Sequence, residues 1–361
     1  MHTDEEGILG PIGPRRVDPV EAQDYRFHLG DFHSRDDNPV GMNALTWRGG
    51  SSLTFDRIPA PEPGDGEVAF DVSLAGICGS DLHPYRGHAG PRVPPLVLGH
   101  EAVGTSPTRP GERFVLFPLV GCSSCAACLR GEINLCRTRG LVGLDRQGVF
   151  ADRLVVSSEA LTPIPSGVAD RVAVLTEPLA ASVSALRHAD VGPDDRVLVL
   201  GGGPIGLLAA HACAVSGIDV SLVEPLDERR RFAAVLGAQA TYASTDEVVD
   251  QEFDLAIDAV GIQPTWQAGI AAVRMGGAVT IVGLGQTEGL FSAGDVVRRG
   301  ITVRGHYAYT RADFENALAI LARRPPSLEW LRSLPLSEGA EGFRLLVEEP
   351  EVNIKILLER D

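Results

Sequence analysis

Apolar positions in this chain gather in short runs separated by polar turns, and the clearest runs lie in its second half. In "RVLVLGGGPIGLLAAHACAVSG" the segment Val197 to Leu200 is uninterrupted apolar sequence, the pattern of a strand buried on both faces of a parallel sheet. The Ala- and Leu-rich stretch after the glycines suits a helix. The runs "DVSLVE", "FDLAIDAVG" and "GGAVTIVGLG" repeat the strand pattern and alternate with helical segments, which predicts a doubly wound parallel sheet. Residues 1–41 differ, being rich in Pro, Gly and charge with no apolar periodicity. They are expected to form a flexible extension whose deletion leaves folding and turnover intact.

Length and charge narrow the class. A chain of 361 residues exceeds the usual size of one core, so two domains are expected. No apolar run is long enough to cross a bilayer, and the acidic start "MHTDEEGILG" lacks the features of a secretory signal, so a cytoplasmic location is expected. The formal net charge is −16 with no basic stripe, which opposes nucleic-acid binding. Lys355 is the sole lysine among 32 basic residues.

Four of the six cysteines fall in "GCSSCAACLRGEINLC", at Cys122, Cys125, Cys128 and Cys136. In a reducing compartment such spacing points to a metal more than to disulfides, and four thiolates close a tetrahedron around zinc without an open position. This site is predicted to brace a loop. Upstream, "GICGSDLH" and "LGHEAVG" supply Cys78, His100 and Glu101, and "TEPLAAS" supplies Glu177. These residues suit a catalytic zinc with an open position, but their wide separation leaves a buried Cys78 and a core His100 as an equal alternative.

Gly201, Gly203 and Gly206 form G-x-G-x-x-G between the predicted strand and helix, the arrangement that lets backbone approach a pyrophosphate at a helix N-terminus. Glu224 closes the next apolar run, where an acid meets ribose hydroxyls and disfavours a 2′-phosphate, so NAD is expected over NADP. Arg229, Arg230 and Arg231 are read as a solvated helix start, with a 2′-phosphate contact as the alternative.

Together, "CGSDLH", "GHE", the four-cysteine loop, "EPLAAS" and "GGGPIG" resemble, in this order, the zinc-dependent medium-chain dehydrogenases of the alcohol, sorbitol and threonine dehydrogenase group. The resemblance covers Met42 to Asp361. It implies a GroES-like β-rich catalytic domain (42–175, with 311–361 returning to it) and a Rossmann NAD-binding domain (176–310). It also implies two zinc ions per chain. Cys78, His100 and Glu101 match the catalytic-zinc positions, with Glu177 either a direct ligand or one water away. Asp81 resembles the acid that orients the zinc histidine, with turn capping as the alternative. Ser80 and His83 match a proton relay, against plain loop roles for both. The cofactor contacts implied are Gly201, Gly203, Pro204, Ile205, Gly206 and Glu224, with Lys355 either at the pyrophosphate or an exposed strand charge.

The sequence departs from that pattern in places. "TSPTRP" replaces a longer hairpin, so a trimmed domain edge and a more open cleft are expected. Gly79 stands where some alcohol dehydrogenases place a phosphate-binding arginine. His306 and Tyr307 are candidate substrate contacts, with packing as the other reading. The resemblance implies an NAD-dependent oxidation of a secondary alcohol such as a polyol, cyclitol or amino alcohol, in a homodimer or homotetramer joined through "GITVRGHYA". The alternatives are internal use of NAD, as in an epimerase or lyase, and a binding protein without catalysis.

Overall fold

The computed structural model describes residues 41–361 apart from Ala89 and Asp250. Expectations for residues 1–40 lie outside the described residues. Pro39–Asp361 behaves as one compact unit.

The apolar runs become a six-stranded parallel sheet in the order Ala240–Tyr242, Asp219–Val223, Arg196–Leu200, Phe253–Asp258, Val273–Ile281, Thr302–Gly305. The two strands flanking Arg196–Leu200 lead in opposite directions through the sequence, so this strand borders the point where the order reverses. Ligands of doubly wound sheets bind there. Val197–Leu200 are buried on both faces because helices cover both sides.

The remaining strands are mainly antiparallel. Glu67–Gly76 is the spine of a seven-stranded sheet, pairing with Glu101–Thr105, with Arg153–Ser157 and with Lys355–Glu359. Gly76 lies opposite both Glu101 and Leu357. The C-terminal strand thereby reaches the site built by the first third of the chain. The shortened segment after Thr105 is a compact turn, in which Ser106 Oγ donates to Ala69 O at 2.8 Å. The structure contains the doubly wound parallel sheet expected from the apolar runs and a separate β-rich unit of the kind the resemblance implies.

One apolar core joins the two sheets. It runs from Leu74, Val103 and Phe117 through Leu179 to Val197, Leu207 and Ile257. The helix Thr176–His188 lies within this core, and its first turn carries Glu177. A helix so placed holds that carboxylate against rigid packing instead of on a mobile loop. Among the described residues, no helix is long and apolar enough to cross a membrane.

Candidate active site

Cys78 caps the short helix Gly79–Tyr85, whose Ser80, Asp81 and His83 follow within one and a half turns. The ligand atoms of Cys78, His100 and Glu101 lie within 4.8 Å of one another. Glu101 is fully buried, and its Oε1 has no hydrogen-bond partner among the described residues. An orphaned carboxylate oxygen is costly in a protein interior unless a cation satisfies it. With a thiolate and an imidazole beside it, the set has the ligand types and number of a catalytic zinc centre. Burial pulls the His100 pKa down, but the Cys78 thiolate and the Asp81 carboxylate outweigh it and hold the imidazole well above its ordinary range. A divalent cation would neutralise the same anionic field.

Asp81 caps the turn with one carboxylate oxygen and sets the other near His100 without a hydrogen bond. Its Oδ2 accepts from Cys78 N at 3.1 Å, a turn cap, while Oδ1 faces His100 Nδ1 at 3.8 Å. Arg92 NH2 approaches the same Oδ1 at 4.0 Å, and its Nε donates to Gly143 O at 3.3 Å. Burial raises the Asp81 pKa, against the opposing effects of His100 and Arg92. Arg92 escaped the sequence reading because its loop has no regular pattern.

Ser80 Oγ is buried without a hydrogen-bond partner among the described residues. A hydroxyl in that condition is available to a ligand. His83 lies three residues on along the same helix face. Burial lowers its pKa, reinforced by Arg92, Arg86 and His88, so the imidazole stays neutral at neutral pH.

Glu177 lies outside the 4.8 Å set, and its Oε1 accepts a hydrogen bond from the Tyr309 hydroxyl at 2.7 Å. Both residues are buried. Burial and the Glu177 carboxylate push the phenol pKa well above its usual value, so it remains a donor. Sequence reasoning named His306 and Tyr307 and passed over Tyr309. The structure packs His306 on His188 with ring centroids 4.9 Å apart, and sets Tyr307 beneath the Arg139 guanidinium at 4.2 Å.

The structure corrects the expectation for Lys355. This residue is 1% exposed, and its ammonium donates to Glu101 Oε2 and, at 3.0 Å, to Ile77 O. It is neither an exposed strand charge nor free to meet a pyrophosphate, because its strand pairs with Glu67–Gly76 and delivers the side chain to the metal-ligand group. Gly76 makes room for the pair: a Cβ there would collide with the Glu101 carboxylate.

At the dinucleotide turn, Gly201 adopts φ +104°, and a Cβ on Gly206 would overlap the Gly201 carbonyl oxygen. Gly203 caps the helix Pro204–Val215 and faces open space, as a pyrophosphate requires. Pro204 and Ile205 are partly exposed beside it. Glu224 is buried and accepts from Gly202 N at 2.7 Å and Leu226 N at 3.0 Å, so the acid is held against the turn. The three arginines beyond have partners of their own: Pro350 O for Arg229, Asp227 and the Glu224 carbonyl for Arg230, and Glu228 for Arg231. These residues fit a dinucleotide.

Cys122, Cys125, Cys128 and Cys136 bring their sulfurs within 4.8 Å of one another. Cys122 and Cys128 are 3.9 Å apart, close to the ~3.8 Å edge of a tetrahedron with ordinary zinc–sulfur bonds. Amide and hydroxyl donors at Ser124 and the Cys125 amide lower the Cys122 pKa to about 5, whereas burial raises Cys128 to about 11. The group fits a zinc ion. Asn134 Nδ2, inside the loop, donates to Tyr307 O at 2.8 Å and pins the loop to the segment carrying Tyr309.

A dinucleotide turn, a three-ligand metal group and a four-thiol metal group on this fold define a zinc-binding dehydrogenase. Residues 64–166 match the alcohol dehydrogenase GroES-like domain and residues 204–323 the zinc-binding dehydrogenase domain. The sorbitol dehydrogenase of Halalkalibacterium halodurans is 32% identical over 340 residues, 85% of this chain and 99% of the relative. The D-altritol 5-dehydrogenase of Agrobacterium fabrum is 31% identical over 328 residues, 86% of this chain and 97% of the relative. Acetophenone reductase from Geotrichum candidum, solved in complex with NAD, has the same fold with a TM-score of 0.82 at 26% identity, covering 90% of this chain and 98% of that one. The chain belongs to the zinc-dependent medium-chain dehydrogenase family, and it is a zinc-dependent oxidoreductase that uses a nicotinamide dinucleotide.

Proposed function

We propose that this enzyme oxidises a secondary hydroxyl of a polyol or sugar alcohol with NAD, at a centre held by Cys78, His100, Glu101 and Glu177. The observation that carries the reading is the convergence of three ligand atoms within 4.8 Å of one another, one of them from a carboxylate with an unpaired buried oxygen. Its relatives named for sorbitol and D-altritol support the substrate class.

Zinc bound there supplies Lewis acidity to a substrate hydroxyl, and the bound nicotinamide supplies the hydride acceptor. Ser80 Oγ, otherwise unpartnered, would accept the substrate hydroxyl's proton while giving up its own, and the half-buried His83 on the same helix face would carry that proton toward solvent through a bridging hydroxyl or water, since the two side chains are not hydrogen-bonded to each other. Asp81 fixes the orientation of His100. Cys122, Cys125, Cys128 and Cys136 would hold a second zinc, which would brace the loop that Asn134 ties to Tyr307. Gly201, Gly203, Pro204, Ile205 and Gly206 cradle the pyrophosphate, and Glu224 selects NAD over NADP by repelling a 2′-phosphate.

The catalytic unit comprises residues 42–175 with 311–361, and the cofactor unit residues 176–310. The exposed edge strand Thr302–Gly305, which follows the helix bearing the exposed Val297, is the surface through which a homodimer or homotetramer would form. Free cysteines at the four-cysteine loop suit a reducing cytoplasm.

The test is a panel of polyols and sugar alcohols offered with NAD and with NADP, following reduced nicotinamide in the native protein and in Cys78→Ser. NAD-dependent turnover that vanishes in the variant supports the reading. Turnover that survives the substitution refutes the metal assignment, and silence across the panel in zinc-replete protein refutes the substrate class.

A further inference from the structure

The two oxygens of Glu177 stand in different circumstances. Oε1 accepts the 2.7 Å hydrogen bond from Tyr309. Among the described residues, no donor reaches Oε2. A carboxylate on a helix turn retains freedom about its terminal torsion, and a donor fixed in space removes that freedom.

Tyr309 is such a donor. Its ring is 1% exposed, stacks on Phe314 with centroids 5.8 Å apart, and meets Phe117 edge-on at 5.9 Å. Phe117 and Phe314 themselves meet edge-on at 5.3 Å. Immediately beyond, Thr310 caps the helix Arg311–Arg323 and Asp313 is tied to Ser184 at 2.8 Å and to Arg187 at 2.6 Å. Ser184 and Arg187 belong to the same helix, Thr176–His188, that carries Glu177 in its first turn. The segment 309–313 is therefore fastened to that helix at both ends, by Tyr309 on Glu177 and by Asp313 on Ser184 and Arg187. The phenol cannot drift without unseating these bonds.

We infer that Tyr309 is the positioning residue for Glu177: it claims Oε1 and leaves Oε2 as the one oxygen presented to the metal centre. The inference rests on the proposed centre of Cys78, His100, Glu101 and Glu177. Hydrogen-bonded partners of metal-site carboxylates typically change metal affinity about 10- to 100-fold when removed. Tyr309→Phe deletes the donor and keeps the aromatic packing.

The experiment follows zinc transfer from intact, zinc-loaded protein to a colorimetric chelator, in the native chain, Tyr309→Phe, Glu177→Gln and the double variant, with thermal melting of each. The zinc of the four-cysteine loop is the internal reference. In Tyr309→Phe one zinc is expected to leave about tenfold faster while the reference zinc is unchanged, and Tyr309→Phe is expected to add nothing in the Glu177→Gln background. A native rate of loss in Tyr309→Phe overturns the inference. So does an acceleration of equal size in both backgrounds, which would mean that the ring acts through packing alone. If Tyr309→Phe does not fold, Glu177→Asp withdraws the carboxylate from the phenol, and native zinc retention in that variant overturns the inference equally. Cys78→Ser separates the two levels: unchanged zinc content there refutes the metal centre itself, whereas loss of one zinc leaves the centre standing and the Tyr309 result decisive.

Discussion

Lys355 and Glu101, 254 residues apart in sequence, form an ion pair in which both side chains are almost wholly removed from solvent, at 1% and 0% exposure. Such a pair is a weak source of net stability, because desolvation of two charges offsets their attraction. Breaking it from one side is another matter, since the remaining charge is left buried and uncompensated.

Lys355→Met is therefore expected to destabilise the fold by about 3 kcal/mol, and Lys355→Met with Glu101→Gln by much less, because the double change leaves no orphaned charge. Thermal unfolding of the two variants in chelator-treated protein measures this. Equal losses in both would show that the methylene packing of Lys355, not its charge, matters here.

Ser80→Ala is expected to lower kcat with little change in KM, because the unpartnered hydroxyl is placed to move a proton and not to anchor the substrate. A loss of about a hundredfold corresponds to the lower end of general acid–base contributions. His83→Asn should cost less, since buffer replaces a group at the exposed end of a relay. Added imidazole is expected to restore part of its rate but none of that of Ser80→Ala. Steady-state kinetics at several buffer concentrations distinguish the two variants, and a rise in KM at constant kcat would remove Ser80 from the relay.

Much of this site is legible in the sequence because its ligands come in compact motifs. Cys78 to His83 lie on one cap and one short helix, and the four cysteines lie within a single loop, so spacing nearly dictates their geometry. What the sequence hid depends on tertiary register. Lys355 reads as an ordinary strand charge until the C-terminal strand is paired with Glu67–Gly76, and the pairing of Gly76 with Glu101 on one side and Leu357 on the other is invisible in any local window. Tyr309 was obscured for a similar reason. It sits in an irregular crossover between strand and helix, where no period distinguishes the inward residue from its neighbours, and the choice fell on His306 and Tyr307.

The pH dependence of stability should carry the mark of Asp313. Burial alone would raise its pKa, but hydrogen bonds from Arg187, Thr310 and Ser184 outweigh that effect and hold it far below the ordinary carboxylate value. A depressed folded-state pKa contributes stability above the unfolded value of about 3.9 and loses it as pH falls toward the folded value. Arg187 supplies the largest lowering effect but is 52% exposed, so solvent screens its share, which leaves part of the effect to the half-buried Thr310 bonds and the buried Ser184 bond. Asp313→Asn is expected to cost about 2 kcal/mol at neutral pH, and the gap from the native chain should close progressively below about pH 4. A gap independent of pH down to acid unfolding would assign the loss to packing.

Glu224 combines two duties that a substitution can separate. Its carboxylate accepts from Gly202 N and Leu226 N, so it shapes the glycine turn, and the proposed role adds discrimination against a 2′-phosphate. Glu224→Gln keeps one acceptor oxygen, enough for one of the two backbone amides, and removes the charge. If charge sets the preference, kcat/KM for NADP should rise about tenfold, the equivalent of 1.4 kcal/mol, while that for NAD falls less. Glu224→Ala additionally strips the acceptor from the Gly202 amide, and both cofactors should then bind more weakly. Measuring kcat/KM for NAD and NADP in both variants decides the matter, because a parallel decline in Glu224→Gln would make the acid a structural element of the turn and move cofactor choice to other residues.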